Sequence, residues 1–140
     1  MRINIVSVLL LCLGLFFVSG CGVPVDQVSG TITFEDGTPL TKGEVIFFLN
    51  GSEEYIAKGK IGSDGSYSLA EQKIGKESGR KGCQKGDYKV VIASTSTTEI
   101  VNNKTVQTHI IDQNYARKDL TPLSATIPGG NYNFKVKPYK

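Results

Sequence analysis

The chain has no tryptophan and a single histidine, His109. One unpartnered imidazole leaves Ser/His/Asp catalysis and histidine-pair acid–base chemistry without their usual side chains. Cysteine is almost as scarce, with only Cys12, Cys21 and Cys83. A metal centre built on His and Cys needs three or four such ligands together, so this inventory nearly excludes one. Charge is mild, net +3 from 16 basic and 13 acidic residues, far from the strongly basic patch that nucleic acid demands. No nucleic-acid partner is expected. The chain also lacks a Gly-x-x-x-x-Gly-Lys-Ser/Thr phosphate loop and an Asp-x-Asp-x-Asp-Gly calcium loop. After residue 21 no segment sustains a 3.6-residue apolar period, so no amphipathic helix is expected there.

What is present begins at the N-terminus. Met1-Arg2 supplies one positive charge, and Ile5 to Val18 is apolar except for Ser7, Cys12 and Gly14. A basic start, a short apolar run and a small-residue exit read as a helical secretory signal. The run falls below the ~18–20 residues of a spanning helix. Its exit is Val18-Ser19-Gly20-Cys21, an aliphatic residue, two small residues and a cysteine. This resembles the lipobox of bacterial lipoproteins. The resemblance implies cleavage between Gly20 and Cys21, diacylglycerol on the Cys21 sulfur and acylation, with palmitate or a similar chain, of the new amino group. Several acyl chains hold a soluble domain at a bilayer, at ~0.8 kcal/mol per buried CH₂. Gly22 stands where an Asp would, by the family's sorting logic, favour inner-membrane retention. A lipid-anchored place in the cell envelope is therefore expected, at the outer membrane or cell surface where there are two membranes.

Residues 1–20 are thus read as signal peptide, 21–25 as lipidated N-terminus and short tether, and 26–140 as one domain. Arg2 is the only charge lost, which leaves the mature polypeptide at +2 before acylation. Cys12 departs with the signal and Cys21 carries lipid. Cys83 is then alone, so no internal disulfide can form; it is either a quiet thiol or an intermolecular bridge.

The domain reads as strands. Val28, Gly30, Ile32 and Phe34 alternate with polar residues, and Tyr55, Ala57, Gly59 and Ile61 alternate with Ile56, Lys58 and Lys60, the period-2 mark of a strand with one buried face. Val45 to Leu49 is continuously apolar, as expected of a central strand covered on both faces. Asp36-Gly37-Thr38-Pro39 and Ser63-Asp64-Gly65-Ser66 supply turn chemistry. Tyr67 and Leu69, then Tyr88, Val90 and Ile92, then Leu123, Ala125 and Ile127, then Tyr132, Phe134 and Val136 give further stripes. The expectation is all-β, an antiparallel β-sandwich of seven or eight strands. Its predicted core holds Ile32, Phe34, Val45, Phe47, Leu49, Tyr67, Tyr88, Val90, Ile92, Leu123, Ile127 and Phe134.

Two stretches resist this pattern. Glu71 to Gly86 carries four glycines and five basic residues against Glu71 and Glu77, offering little to bury, and is predicted to be a mobile insertion. Ser94 to Thr98 and onward through Asn102-Asn103 reads as a hydroxyl- and amide-rich connection.

Val28 to Phe34, Gly37-Thr38-Pro39-Leu40 and Gly43 to Phe47 together resemble the opening of carboxypeptidase regulatory-like domains, which are prealbumin-like (transthyretin-like) sandwiches. Ser63 to Leu69 is similar to that family's Asp-Gly-x-Tyr hairpin, and Lys85 to Val91 to its Gly-x-Tyr strand. Asn114-Tyr115, Thr121-Pro122-Leu123 and Gly129 to Phe134 resemble the endings of short lipoproteins of planctomycete-type bacteria. The match spans most of the mature chain, and the basic insertion departs from it. One transthyretin-like branch is a hydrolase, but its several His and Arg residues and its C-terminal Tyr-Arg-Gly-Ser are missing here, where the chain reads Pro138-Tyr139-Lys140.

The remaining chemistry is sparse. His109 reads as a strand-edge residue, and Cys83, despite basic neighbours, as a passive thiol in a loop with no adjacent base. The carboxylates fall near turns, where Asp is a turn former. Tyr67-Ser68-Leu69-Ala70-Glu71 faintly matches the Tyr-x-Leu-x-Glu of isopeptide-forming adhesin modules, without their following context. The expected function is a noncatalytic envelope β-sandwich serving as a structural or interaction module, with no cofactor and no metal. Its partners are membrane lipid through the acyl chains and an envelope protein or polysaccharide. Binding of an envelope carbohydrate through Tyr55, Tyr115 or Tyr139 is the alternative, and a transthyretin-like hydrolase the third choice.

Overall fold

The computed structural model describes residues 23–76, 79–93 and 95–140. The signal segment, with Gly20 and Cys21, lies outside them, as do Glu77, Ser78 and Ser94. Within them the chain is all-β, with one 3-10 turn at Gln113–Ala116. The strands are β1 (Ser29–Phe34), β2 (Glu44–Leu49), β3 (Tyr55–Lys60), β4 (Ser66–Ser68), β5 (Ala70–Lys73) and β6 (Arg80–Lys81), followed by β7 (Gly86–Ala93), β8 (Thr97–Val101), β9 (Lys104–Thr108), β10 (Ser124–Ile127) and β11 (Phe134–Val136).

Two sheets form the sandwich. One has the order β11-β1-β4 and the other β10-β7-β2-β3-β5-β6. Pairing is antiparallel throughout the larger sheet. In the smaller one β11 runs parallel to β1, with Ile32 beside Phe134, a departure from the expected antiparallel pattern. The chain passes between sheets at Leu69, which separates β4 from β5 and is 2% exposed. Its N–H bonds to the Val28 carbonyl and its carbonyl accepts from Gly82, so the crossing leaves neither backbone group unpaired.

Turn residues act as their chemistry dictates. Asp36 Oδ1 accepts from the Thr38 N–H at 2.9 Å and its hydroxyl at 2.7 Å. Asp64 does the same for Ser66, at 3.0 and 2.6 Å. Donation to the ionised form, the hydroxyl first, holds both carboxyls below the usual range. Gly65 takes φ +79, and its carbonyl accepts from Ile32.

The core is one contiguous cluster between the sheets. Phe47, with no exposure, sits at its centre, its ring 5.8 Å from Tyr88, 6.1 Å from Phe134 and 6.4 Å from Tyr67. Nine of the predicted core residues are buried, while Phe34, Leu49 and Leu123 are half-buried and pack against the cluster edge. Every core member lies between Val28 and Val136, so the chain from Gly22 onward contains the whole described fold.

Three expectations are corrected. β2 is a central strand, but only Val45 and Phe47 are fully buried; Ile46 and Phe48 on its other face are half-buried. The supposed connection through Asn102-Asn103 is a hairpin, β8–β9, turning on those two asparagines at φ 52 and 59. This is the paired left-handed geometry that tight hairpins require and asparagine tolerates. The hairpin and the short β6 raise the strands described to eleven, above the expected seven or eight. The third correction is the Glu71–Gly86 segment. Far from being a loose insertion, it adds β5 and β6 to the larger sheet and buries Glu71, Gly82 and Cys83.

Candidate functional site

The polar residues that act together converge where the N-terminal stretch meets β5 and β6. Asp26 and Cys83 exchange both backbone hydrogen bonds at 2.8 Å, which sews the start of the domain to the end of the basic segment. Gly82 makes the approach possible. At φ +102 it lies so close to the Asp26 carbonyl that an added Cβ would collide with backbone.

Arg80 joins three parts of the chain. Its Nη1 donates to the Val23 carbonyl at 2.8 Å, and its Nη2 to Glu71 Oε2 at 2.7 Å. Glu71 Oε1 accepts from the Gln84 N–H at 3.3 Å. The Glu71 side chain is 4% exposed and that of Arg80 48%, so the carboxylate is buried and its cation reaches solvent. A buried carboxylate persists when its oxygens are occupied in this way. Beside it Lys73 pairs with Glu54 and sits 5.3 Å over the Tyr55 ring. The Glu54 hydrogen bond, then Tyr55, raises the Lys73 ammonium above its usual range. Tyr55, Glu71, Gln72, Lys73, Gly79 and Arg80 line a shallow surface groove.

Cys83 sits beneath this junction with no exposure. Burial, and secondarily the Glu71 carboxylate, push its thiol up to about 12. It is therefore a protonated core residue, which corrects its placement in a loop. A low-pKa nucleophile needs the opposite surroundings. Burial likewise raises the Tyr67 and Tyr88 phenols; Tyr67 donates to the Tyr132 carbonyl at 2.6 Å and Tyr88 to that of Gln84 at 2.8 Å.

The three candidate ligand-contact tyrosines are not assembled into one platform. Tyr55 is half-buried on β3 under Lys73. Tyr115 is buried in the 3-10 turn, its hydroxyl accepting from the Lys137 N–H at 3.3 Å. That burial corrects its candidacy as an exposed contact. Tyr139 is 51% exposed, and its ring lies 5.4 Å from that of His109, tilted by 51°. The Glu71 carboxylate of the adhesin-like Tyr-x-Leu-x-Glu stretch is held by Arg80. Among the described residues no three His, Cys, Asp or Glu side chains converge on a point where a metal ion could sit.

Sequence reasoning missed Arg80 as the clasp on the N-terminus. The available signal was a lone arginine among lysines, the residue suited to holding a carboxylate and a carbonyl at once.

Fold and junction define an all-β sandwich whose N-terminal stretch is pinned to one sheet edge. No family model, no curated protein and no solved structure matches the chain.

Proposed function

We propose that this protein is a noncatalytic, lipid-anchored β-sandwich of the bacterial cell envelope, held by acyl chains on Cys21 and acting as a structural or interaction module. Val18-Ser19-Gly20-Cys21 after a short apolar run supports the anchor. The observation that carries the reading is the Arg80–Val23 hydrogen bond. Two residues after Cys21 the chain is already fastened to the domain, so little slack separates anchor from sandwich. A domain mounted this way is carried against its membrane and not on a long stalk. The motifs that resemble carboxypeptidase regulatory-like domains fall on β1, β2, the β3–β4 turn and β7, in keeping with a member of that family.

The noncatalytic part of the reading rests on particular side chains. His109 is engaged with Tyr139, Cys83 is buried and protonated, and the turn carboxylates of Asp36 and Asp64 are occupied by their own loops. Burial of Tyr115 removes one of the three contacts on which carbohydrate recognition would depend. Gly22 at the position after the cysteine supports, by the sorting logic of the lipoproteins it resembles, outer-membrane or surface placement where the cell has two membranes. The test is membrane fractionation of cells expressing the parent chain and Cys21→Ser. The parent should partition with membranes and the variant should accumulate as precursor or appear in the soluble fraction. Normal processing and membrane retention of Cys21→Ser would refute the anchor.

A further inference from the structure

The basic charge of this chain is concentrated in one place. Residues 71–86 hold five basic and two acidic residues, whereas the rest of the mature chain holds ten basic and eleven acidic ones. Glu71 is buried against Arg80, so it contributes no exposed negative charge. Lys76, Lys81 and Lys85 are exposed and enter none of the ion pairs found among the described residues. The segment also borders the start of the domain. Lys81 lines a groove with Gln27 and Val28, Lys85 follows Cys83 by two residues, and Arg80 holds the Val23 carbonyl.

We propose that Lys76, Lys81 and Lys85 form a surface for anionic phospholipid headgroups, seating the β6 edge of the larger sheet on the bilayer that holds the anchor. The orientation rests on the reading of Cys21 as the acylated residue; the headgroup affinity does not. Two residues of extended chain reach at most ~7 Å, so an acylated Cys21 keeps Val23 and Arg80 at headgroup level. That distance is within the Debye length of about 8 Å at physiological salt, where basic side chains still feel an anionic surface. Here the clasp on Val23 and the charge excess coincide.

The test uses the acyl-free chain 22–140, which contains the whole described fold. Flotation compares vesicles of phosphatidylcholine alone with vesicles that also contain phosphatidylglycerol, at low and physiological salt. The protein should float with the anionic vesicles only, and less so as salt rises. Each lysine near an anionic surface contributes roughly a fivefold factor in affinity. Lys76→Gln/Lys81→Gln/Lys85→Gln should therefore bind about a hundredfold more weakly. Lys135→Gln/Lys137→Gln/Lys140→Gln makes the same charge change on β11 and the C-terminal tail, and should lose less than about fivefold. Circular dichroism confirms that both variants fold. Equal losses in the two variants would overturn the proposal, since net charge alone would then suffice. So would indifference to phosphatidylglycerol, or co-sedimentation with purified peptidoglycan in place of vesicles. No acyl chain enters this assay, so its outcome is separable from that of the Cys21→Ser fractionation.

Discussion

Phe47 and Phe48 are adjacent in β2 and face opposite ways, which makes them a sensitive probe of register. Phe47 is fully buried against three aromatic rings, whereas Phe48 is half-buried with Lys118 Nζ 5.2 Å over its ring. Phe47→Ala removes a side chain that no neighbour can replace and should destabilise the domain by ~3–5 kcal/mol. Phe48→Ala gives up partial burial and an exposed cation–π contact, together ~1 kcal/mol. At roughly 2.1 cal/mol/K per residue, a domain of this length has an unfolding entropy near ~0.25 kcal/mol/K. The expected falls in Tm are thus about 15 °C for Phe47→Ala and about 4 °C for Phe48→Ala. Thermal unfolding of the acyl-free chain 22–140, followed by circular dichroism, measures both. A one-residue slip of β2 would exchange the two faces. Equal shifts, or a larger shift for Phe48→Ala, would therefore refute the register and with it the packing of the two sheets.

Cys83 should be inert to a disulfide reagent at pH 8 in the folded protein and react at once in denaturant; rapid reaction of the native protein would contradict its burial. Its raised pKa also makes stability pH-dependent. Below the unfolded-state value of about 9 both states keep the proton and the contribution is complete, and it is lost as pH rises toward about 12. The loss is on the order of 4 kcal/mol for three pKa units. Cys83→Ala should flatten part of that alkaline decline in urea titrations, and an unchanged slope would show that the thiol does not titrate with folding. In limited digestion a Lys/Arg-specific protease should cut first at Lys104, on the exposed β8–β9 hairpin. Arg80 and Lys81, held in β6, should survive until the domain unfolds, and early cleavage there would mean the segment is not part of the sheet.

The sandwich was legible because its core strands bury one face and so write a period-2 pattern into the chain. β1, β3, β7 and β10 carry it, whereas β2 announces itself as an unbroken apolar run from Val45 to Leu49. The hairpin β8–β9 was not legible because both its faces are exposed. Nothing forces apolar alternation on such a ribbon, and its β-branched residues with Asn102-Asn103 between them were the only cue. The Glu71–Gly86 segment misled for a related reason. Its burial comes from backbone pairing at a sheet edge and from one carboxylate satisfied by Arg80, neither of which shows as hydrophobicity. Cys83 is the exception that could have been weighted more heavily, since free cysteine behaves as a small hydrophobe and is among the most buried residue types. Tyr115 was misjudged because the 3-10 turn that aims it inward, begun by Asp112 Oδ1 accepting from the Asn114 N–H at 2.9 Å, leaves no periodic signature.

Cys21 carries the proposed lipid anchor, and the mass of the N-terminal peptide of protein extracted from native membranes tests it most directly. The expected peptide begins at Cys21, lacks residues 1–20 and carries the added mass of a diacylglycerol thioether and an amide-linked acyl chain. A peptide that begins elsewhere, or an unmodified cysteine, would contradict the lipid-anchored reading.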